Sequence, residues 1–396
     1  MQSLVLKPGK SRVLQRRHPW VFSGALRELP EWPPGTVVDL VDERGQFLAR
    51  GFYNRHSQIA FRVLTWDGRE AIDAAFFARR IAAAWERRKA WWQPPETTAV
   101  RAIMSDADGL PGLIVDRYEG FLVVQLLTAG MEHQRESITQ GLVLTHAPLG
   151  IYERSDDAAR KLEGLSMRAG LWLGEEPPAA GIAVKENGTT FLVDARVGHK
   201  TGHYCDQRVN RALVAAHAKG RTVVDAFCNS GGFTLQALRH GAAHVTSIDS
   251  SQPALAQLGR HLECNGLADA TRQTLVCGDV FTVLRELAAA ERRFGMIVLD
   301  PPKFAATAAQ VERAARGYKD INLLAAKCLE PGGILATFSC SGHISADLFQ
   351  KIVFGALSDA RRDGWILEYM VQAPDHLVRM TLPESMYLKG LLIRME

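Results

Sequence analysis

The 396-residue sequence predicts an α/β protein: a mainly parallel, doubly wound sheet in the C-terminal half, preceded by a β-rich N-terminal module and a small central α+β region. Three observations predict it. After about residue 206, short apolar runs alternate with helical segments, a pattern that implies right-handed crossovers between parallel strands. The first seventy residues carry β-rich runs bounded by Gly, Pro and Asn instead. Between these regions the pattern is mixed, and Asn187-Gly188 separates two apolar runs as a hairpin turn does.

In the first region, residues 37–41, 47–53 and 59–64 read as strands of a barrel-like domain spanning 1–72. Residues 73–92 switch to helical period, with Phe77, Ile81 and Trp85 four apart, and the helix is expected to run to Pro94-Pro95. The central domain, 73–195, holds strands at 113–115 and 121–127, a loop at Pro177-Pro178 and the hairpin of 182–184 with 191–193. The third domain, 196–396, has strands at 222–226, 244–248, 273–277, 295–299, 333–339, 366–372 and 387–394. A helix over 253–265 begins with Pro253 in its first turn, where the missing N–H costs nothing.

Composition narrows the class. A chain of this length needs two or three cores, and 47% hydrophobic with 23% charged residues is ordinarily globular. No apolar run is long enough to span a bilayer, and the start lacks a signal-peptide core, so a cytoplasmic protein without a membrane partner is expected. The six cysteines form no CxxC pair and no Cys/His cluster with zinc spacing, so no metal is expected. Cys228, Cys264, Cys277 and Cys328 fit buried, reduced core positions, whereas Cys205 falls in a loop. The net charge of +4 is unevenly spread. Lys7, Lys10, Arg12, Arg16 and Arg17 have no acid among them, and Arg79, Arg80, Arg87, Arg88 and Lys89 have only Glu86. Each cluster reads either as a polyanion-binding patch or as a solvated face. There is no internal repeat, and nothing decides between a monomer and a homodimer.

The stretch Asp225-Ala-Phe-Cys-Asn-Ser-Gly-Gly-Phe233 closes the apolar run 222–224 with an acid, a two-glycine turn and a helix. Asp249 ends the next strand about 20 residues after that turn, the spacing at which an acid accepts from both hydroxyls of a ribose. A dinucleotide requires G-x-G-x-x-G, whose glycines admit a pyrophosphate. Here Asp225 repels a pyrophosphate and suits a cationic amino-acid end, which favours S-adenosylmethionine. Phe227, Asn229, Gly231 and Gly232 would line the turn. Asp279 would accept from the adenine amine while Val280 packs on the ring, although a helix N-cap explains Asp279 equally well.

The reaction site is read from two further strand ends. Asp300-Pro-Pro-Lys-Phe304 follows the run 296–299, and its prolines stiffen the loop behind the carboxylate. Pro301, Pro302, Lys303 and Phe304 would border a flat substrate, on which Phe304 would stack. Phe338-Ser-Cys-Ser-Gly342 ends the next strand, so Cys340 falls on the same sheet edge as Asp300. A thiol beside a carboxyl suits pyrimidine carbon 5, which is a poor nucleophile until a thiolate adds to carbon 6. A protonated carboxyl at nitrogen 3 of cytosine would offset the charge that develops. The thiol needs an electropositive setting, for which Lys303, Lys200 and Arg208 are candidates. Methylation of an exocyclic amine needs no thiol, so Cys340 discriminates between the two chemistries.

Taken together, these segments resemble the ribosomal RNA large subunit methyltransferase I family, whose members make 5-methylcytidine in large-subunit RNA. The resemblance also rests on His199-Lys-Thr-Gly-His-Tyr-Cys-Asp-Gln-Arg208, Arg316-Gly-Tyr-Lys-Asp-Ile-Asn322, Arg17-His-Pro-Trp-Val-Phe-Ser-Gly24 and Asp108-Gly-Leu-Pro-Gly-Leu-Ile-Val-Asp116, and covers nearly the whole chain. It implies an N-terminal PUA domain, a central α+β domain and a C-terminal class I methyltransferase domain that uses S-adenosylmethionine. It also implies Cys340 as nucleophile, Asp300 as a contact to the base, and ribosomal RNA as partner. Segment 200–208 would border the cofactor or substrate pocket. Lys7, Arg12, Arg16 and Arg17 would hold RNA phosphates, which position RNA without reading its sequence. Trp20, Phe22 and Trp85 are expected in the core rather than stacked on bases. Methylation of a base amine remains the alternative reaction, and a non-catalytic RNA-binding assembly factor the alternative class; a dinucleotide dehydrogenase lacks its glycine pattern.

Overall fold

In the computed structural model, which describes residues 2–396, the N-terminal run folds as five strands. They are β1 (Ser3–Val5), β2 (Trp20–Val21), β3 (Thr36–Val41), β4 (Phe47–Tyr53) and β5 (Phe61–Thr65), in the spatial order β1-β3-β4-β5-β2. A short helix, α1 (Arg12–Gln15), lies between β1 and β2 in the chain. Leu4, Leu40, Phe61 and Val63 meet in the core of this sheet. At three and two residues, β1 and β2 are too short to show a period of two, which is why the sequence did not predict them. Trp20 is half-buried and Trp85 likewise, but Phe22, expected in the core, is 52% exposed because it lies just beyond the end of β2.

Helix α2 (Ala74–Glu86) starts where Asp73 accepts from Phe76 N, and it buries Phe76, Phe77 and Ile81. It stops well short of Pro94-Pro95. Arg88 turns inward there, paired with Asp108 at 2.7 Å and donating to Ala84 O and Asp375 O. A second sheet follows, made of β6 (Ala99–Met104), β7 (Leu113–Tyr118), β8 (Phe121–Leu126), β9 (Gly150–Ser155) and β10 (Arg168–Gly174), in the order β10-β9-β8-β7-β6. Helices α3 (Ala129–His133) and α4 (Arg135–His146) separate β8 from β9, and α5 (Ala159–Leu162) precedes β10. The predicted hairpin is β11 (Ile182–Glu186) with β12 (Thr189–Val193), turning through Asn187 and Gly188 at φ 49° and 73°. Residues up to Cys205 form one compact unit, to which Pro374–Ser385 also belongs.

The two basic clusters in this unit differ in kind. Arg79 and Arg80 pair with Glu70, Arg87 and Arg88 with Asp108, and Lys89 with Glu86. Each cation of that cluster is therefore paired within its own unit, five sharing three carboxylates. Lys7, Lys10, Arg12, Arg16 and Arg17 are exposed, and among the described residues none of them joins an ion pair.

The second unit, Asp206–Ala373 with Met386–Glu396, alternates helix and strand throughout. Its elements are α6 (Arg208–Ala215), β13 (Thr222–Ala226), α7 (Gly232–Arg239), β14 (His244–Asp249), α8 (Gln252–Cys264), β15 (Gln273–Cys277), α9 (Val280–Ala289) and β16 (Phe294–Leu299). There follow α10 (Val311–Cys328), β17 (Leu329–Ser339), α11 (Ala346–Asp359), β18 (Gly364–Val371) and β19 (Lys389–Met395). The sheet order is β15-β14-β13-β16-β17-β19-β18, parallel from β15 to β17, with β19 antiparallel to both its neighbours. Val224, Ile297, Leu335, Tyr318 and Phe349 share one core. Strand order reverses between β13 and β16, so the ligand crevice of such a sheet opens at their carboxyl ends.

Two cysteines depart from expectation. Cys264 is the last residue of α8 and Cys277 ends the edge strand β15, so both are exposed; Cys205, Cys228 and Cys328 are buried. Among the described residues, no helix is long and apolar enough to cross a membrane, and no group of three or more His, Cys, Asp or Glu is placed to hold a metal.

Candidate active site

Five strand ends bring the predicted residues to one edge of the sheet. Pairing of Ala226 with Ile248 and Leu299, of Asp249 with Cys277, and of Leu299 with Thr337 sets Asp225 and Asp249 at the carboxyl ends of their strands, and Asp279, Asp300 and Cys340 just past theirs.

Asp225 is buried beneath the first turn of α7. Its Oδ2 accepts from Thr234 N at 2.9 Å and Thr234 Oγ1 at 2.6 Å, while Oδ1 is buried with no hydrogen-bond partner among the described residues. Burial, with Asp249 adding to it, pushes the carboxyl up to about 6 against the pull of Thr234. An unmatched buried acceptor is costly unless a ligand supplies the donor, and the ammonium end of an amino acid does so.

The turn above it is conformationally demanding. Phe227, Asn229 and Gly231 take φ 64°, 49° and 84°, and left-handed backbone at a bulky residue such as Phe227 is rare outside functional turns. A Cβ on Gly231 would come within 2.1 Å of Leu258 Cδ1, and one on Gly232 within 2.4 Å of Arg211 Nε. Asn229 N and Ser251 N each donate to one oxygen of Asp249, at 2.8 and 2.9 Å. Each of those oxygens keeps a lone pair for a ribose hydroxyl. Asp279 caps α9, accepting from Thr282 N at 2.9 Å; the carboxylate is exposed and Val280 beside it is buried.

At the next strand end, Asp300 N donates to Ala226 O at 3.4 Å. Burial first, and the Asp206 carboxylate next, push the Asp300 carboxyl up to about 7, while Arg211 and Gln207 act the other way. Asp300 is therefore poised to exchange a proton near neutrality. Pro301 is buried, Pro302 and Lys303 are exposed, and the half-buried Phe304 ring lies 4.7 Å from Tyr318 and 6.0 Å from Phe281.

Cys340 follows the last residue of β17 and is half-buried, with fully buried serines on both sides. Ser339 Oγ donates to Tyr318 OH at 2.9 Å, Tyr318 OH and Ser341 Oγ share a bond of 3.1 Å, and Ser341 Oγ accepts from Ala305 N at 3.2 Å. The two serines anchor the turn inward, and the alternation of extended backbone sends Cys340 the other way. The buried Lys389 donates from Nζ to Ser341 O and Ile344 O, both at 2.7 Å.

Of the remaining candidates, Arg208 is buried in the first turn of α6, and Lys200 is an exposed residue of the first unit with Nζ 5.7 Å from the Tyr204 ring. Sequence reasoning reached Asp206 and Gln207 only as members of segment 200–208, and gave Arg211, Tyr318 and Lys389 no role. A lone lysine inside the apolar run 387–393 was the one available signal for Lys389.

Comparison with known proteins identifies the class. The S-adenosylmethionine-dependent methyltransferase family matches residues 108–356, and a PUA-like domain matches residues 4–66. The chain is an S-adenosylmethionine-dependent methyltransferase with a PUA-like N-terminal domain, and the carboxylate acceptors described above suit the ammonium and ribose hydroxyls of that cofactor. Ribosomal RNA large subunit methyltransferase I of Aeromonas hydrophila is 46% identical over 393 residues, covering 99% of each chain. Its counterpart in Escherichia coli O139:H28 is 45% identical over 392 residues, covering 99% of this chain and 98% of its own. The chain belongs to the ribosomal RNA large subunit methyltransferase I family. The fold is shared in full with a Streptococcus mutans structure described as a SAM-dependent methyltransferase, at TM-score 0.86 and 22% identity with 100% of both chains covered.

Proposed function

We propose that this chain methylates carbon 5 of a cytosine in large-subunit ribosomal RNA, through a covalent adduct between Cys340 and carbon 6. The names of the relatives support the RNA. The observation that carries the chemistry is the placement, at neighbouring strand ends of one sheet edge, of a half-buried thiol and a carboxyl that burial pushes up to about 7.

In this reading Asp225 meets the ammonium end of S-adenosylmethionine, and Phe227, Asn229, Gly231 and Gly232 shape the turn around it. Asp249 accepts from the ribose, and Asp279 with Val280 holds the adenine. The cofactor would supply an electrophilic methyl group, carried on its sulfonium, for carbon 5. The Cys340 thiolate adds to carbon 6, and the new S–C bond moves an electron pair towards carbon 5. Asp300 in its protonated form donates to nitrogen 3 and offsets the charge gathering there. With carbon 5 methylated, its proton passes to a base, the C–H electron pair returns to the ring, the S–C bond at carbon 6 breaks and the Cys340 thiolate leaves. Pro301, Pro302, Lys303 and Phe304 border the base, which must be turned out of its stack to enter. Lys7, Arg12, Arg16 and Arg17 hold phosphates.

Cys340→Ala tests this reading. Methyl incorporation into large-subunit RNA should disappear, while S-adenosylhomocysteine still binds by isothermal titration. Undiminished methylation would assign the chain to exocyclic-amine chemistry instead. Failure of the unaltered chain to bind S-adenosylhomocysteine would favour a non-catalytic assembly factor.

A further inference from the structure

A nucleophilic thiol must shed its proton near neutral pH, and general chemistry demands a cation beside it. The candidates legible in the sequence were Lys303, Lys200 and Arg208. The structure assigns that role to Lys389, which acts as a positioning residue, its buried ammonium holding the Cys340 turn and stabilising the thiolate. The inference rests on the proposed role of Cys340 as nucleophile.

Four observations support it. Lys389 begins β19 and pairs in register with Ser339, the residue immediately before the cysteine. Its side chain is only 8% exposed, yet its ammonium is not matched to any carboxylate among the described residues; its acceptors are two carbonyls. Those carbonyls belong to Ser341, directly after the cysteine, and Ile344, so the ammonium fastens both ends of the turn that presents the sulfur. Two of three N–H groups are thereby committed, which leaves one to face the thiolate.

The electrostatics agree. Burial lowers Lys389 to about 8, a Cys340 thiolate raises it and Lys303 lowers it. The interaction between ammonium and thiolate is mutual, so what the thiolate does for the lysine the lysine does for the thiolate. The charged and titratable groups facing this pair are Lys303 from the loop after β16 and Tyr318 from α10. Burial raises the Tyr318 hydroxyl, which therefore stays neutral and adds no competing charge near neutral pH. On ionisation the thiol proton passes to solvent and Lys389 keeps its three.

The experiment measures alkylation of Cys340 by iodoacetamide against pH on the full chain, followed by peptide mass spectrometry. The exposed Cys264 and Cys277 serve as internal controls. In the native chain the Cys340 midpoint should lie below the ordinary thiol value of about 8.5. Lys389→Gln keeps amide donors for both carbonyls but removes the charge, and should raise that midpoint by about one unit or more. Lys389→Arg should stay close to native. In turnover, Lys389→Gln should lower kcat while the KM for RNA and the affinity for S-adenosylhomocysteine hold. An unmoved midpoint in a folded Lys389→Gln chain overturns the inference. Should that variant fail to fold, a native midpoint at or above about 8.5 overturns it equally. Because alkylation needs no turnover, these outcomes are separate from the Cys340→Ala assay, which tests the nucleophile itself.

Discussion

Arg211 Nε lies over Gly232 so closely that a Cβ there would stand 2.4 Å from it. The absence of a side chain in the turn leaves room for the buried guanidinium, whose charge opposes the rise that burial imposes on the carboxyls of Asp225 and Asp300. The glycine turn thus sets the charge of the site as well as its shape.

Gly232→Ala should displace Arg211, whose flexible stem can yield, and weaken S-adenosylhomocysteine binding about tenfold, or ~1.4 kcal/mol. Gly231→Ala is the harsher change. It forces a left-handed residue at φ 84° against Leu258 Cδ1 at 2.1 Å. Left-handed strain of about 1–2 kcal/mol and overpacking of about 1–3 kcal/mol should lower its melting temperature as well. Calorimetry of both variants checks the difference.

Asp300 gives the reaction an alkaline limit. If the protonated carboxyl is the active form, kcat should fall as pH rises through about 7, the value to which burial and Asp206 push it. Stability runs in the same direction. Because the native group holds its proton above the unfolded value, its contribution is complete at acid pH and is lost as pH rises towards 7. Asp300→Asn should therefore lose activity yet gain stability above neutrality, on the order of 1–3 kcal/mol. Denaturant titrations of both chains at acid and alkaline pH show the gain or refute it.

Arg88 should prove structural. Its guanidinium is fully buried against Asp108, so Arg88→Met removes that acid's buried partner and takes a donor from the carbonyls of Ala84 and Asp375, which should cost about 3–5 kcal/mol. Arg87 pairs with the same acid from a half-exposed position, and Arg87→Ala should cost less than about 1 kcal/mol. Thermal melts followed by circular dichroism separate them.

The N-terminal cations should behave as phosphate contacts. Replacing Lys7, Arg12, Arg16 and Arg17 with Gln should flatten the dependence of RNA affinity on salt by up to about 0.7 in log–log slope per lost contact. Arg79→Gln with Lys89→Gln, whose charges are already paired with Glu70 and Glu86, should leave the slope unchanged. Filter binding across a salt series reads both.

What could be foreseen from sequence was local. An acid closing an apolar run, two glycines opening a helix, and Asn187-Gly188 in a hairpin all advertise themselves within a few residues. What escaped was created by pairing across the chain. Arg88 looked like surface charge because Asp108 is 20 residues on, and the same burial ended α2 before its periodicity did. Lys389 acquired meaning only when β19 ran antiparallel beside β17 and put it opposite Ser339. The exposure of Cys264 and Cys277 followed from a helix end and a sheet edge, neither of which hydrophobicity reports.

The return of Pro374–Ser385 to the first unit bears on how the protein is made. Arg88 Nε and Arg101 N both donate to Asp375, which is translated 287 and 274 residues after them. At roughly 5–20 residues per second, the amino-terminal half must wait many seconds after its own synthesis before these bonds can close. Six of the seven strands of the second unit's sheet, β13 to β18, are translated in that interval, so the half made first closes only after most of the other exists.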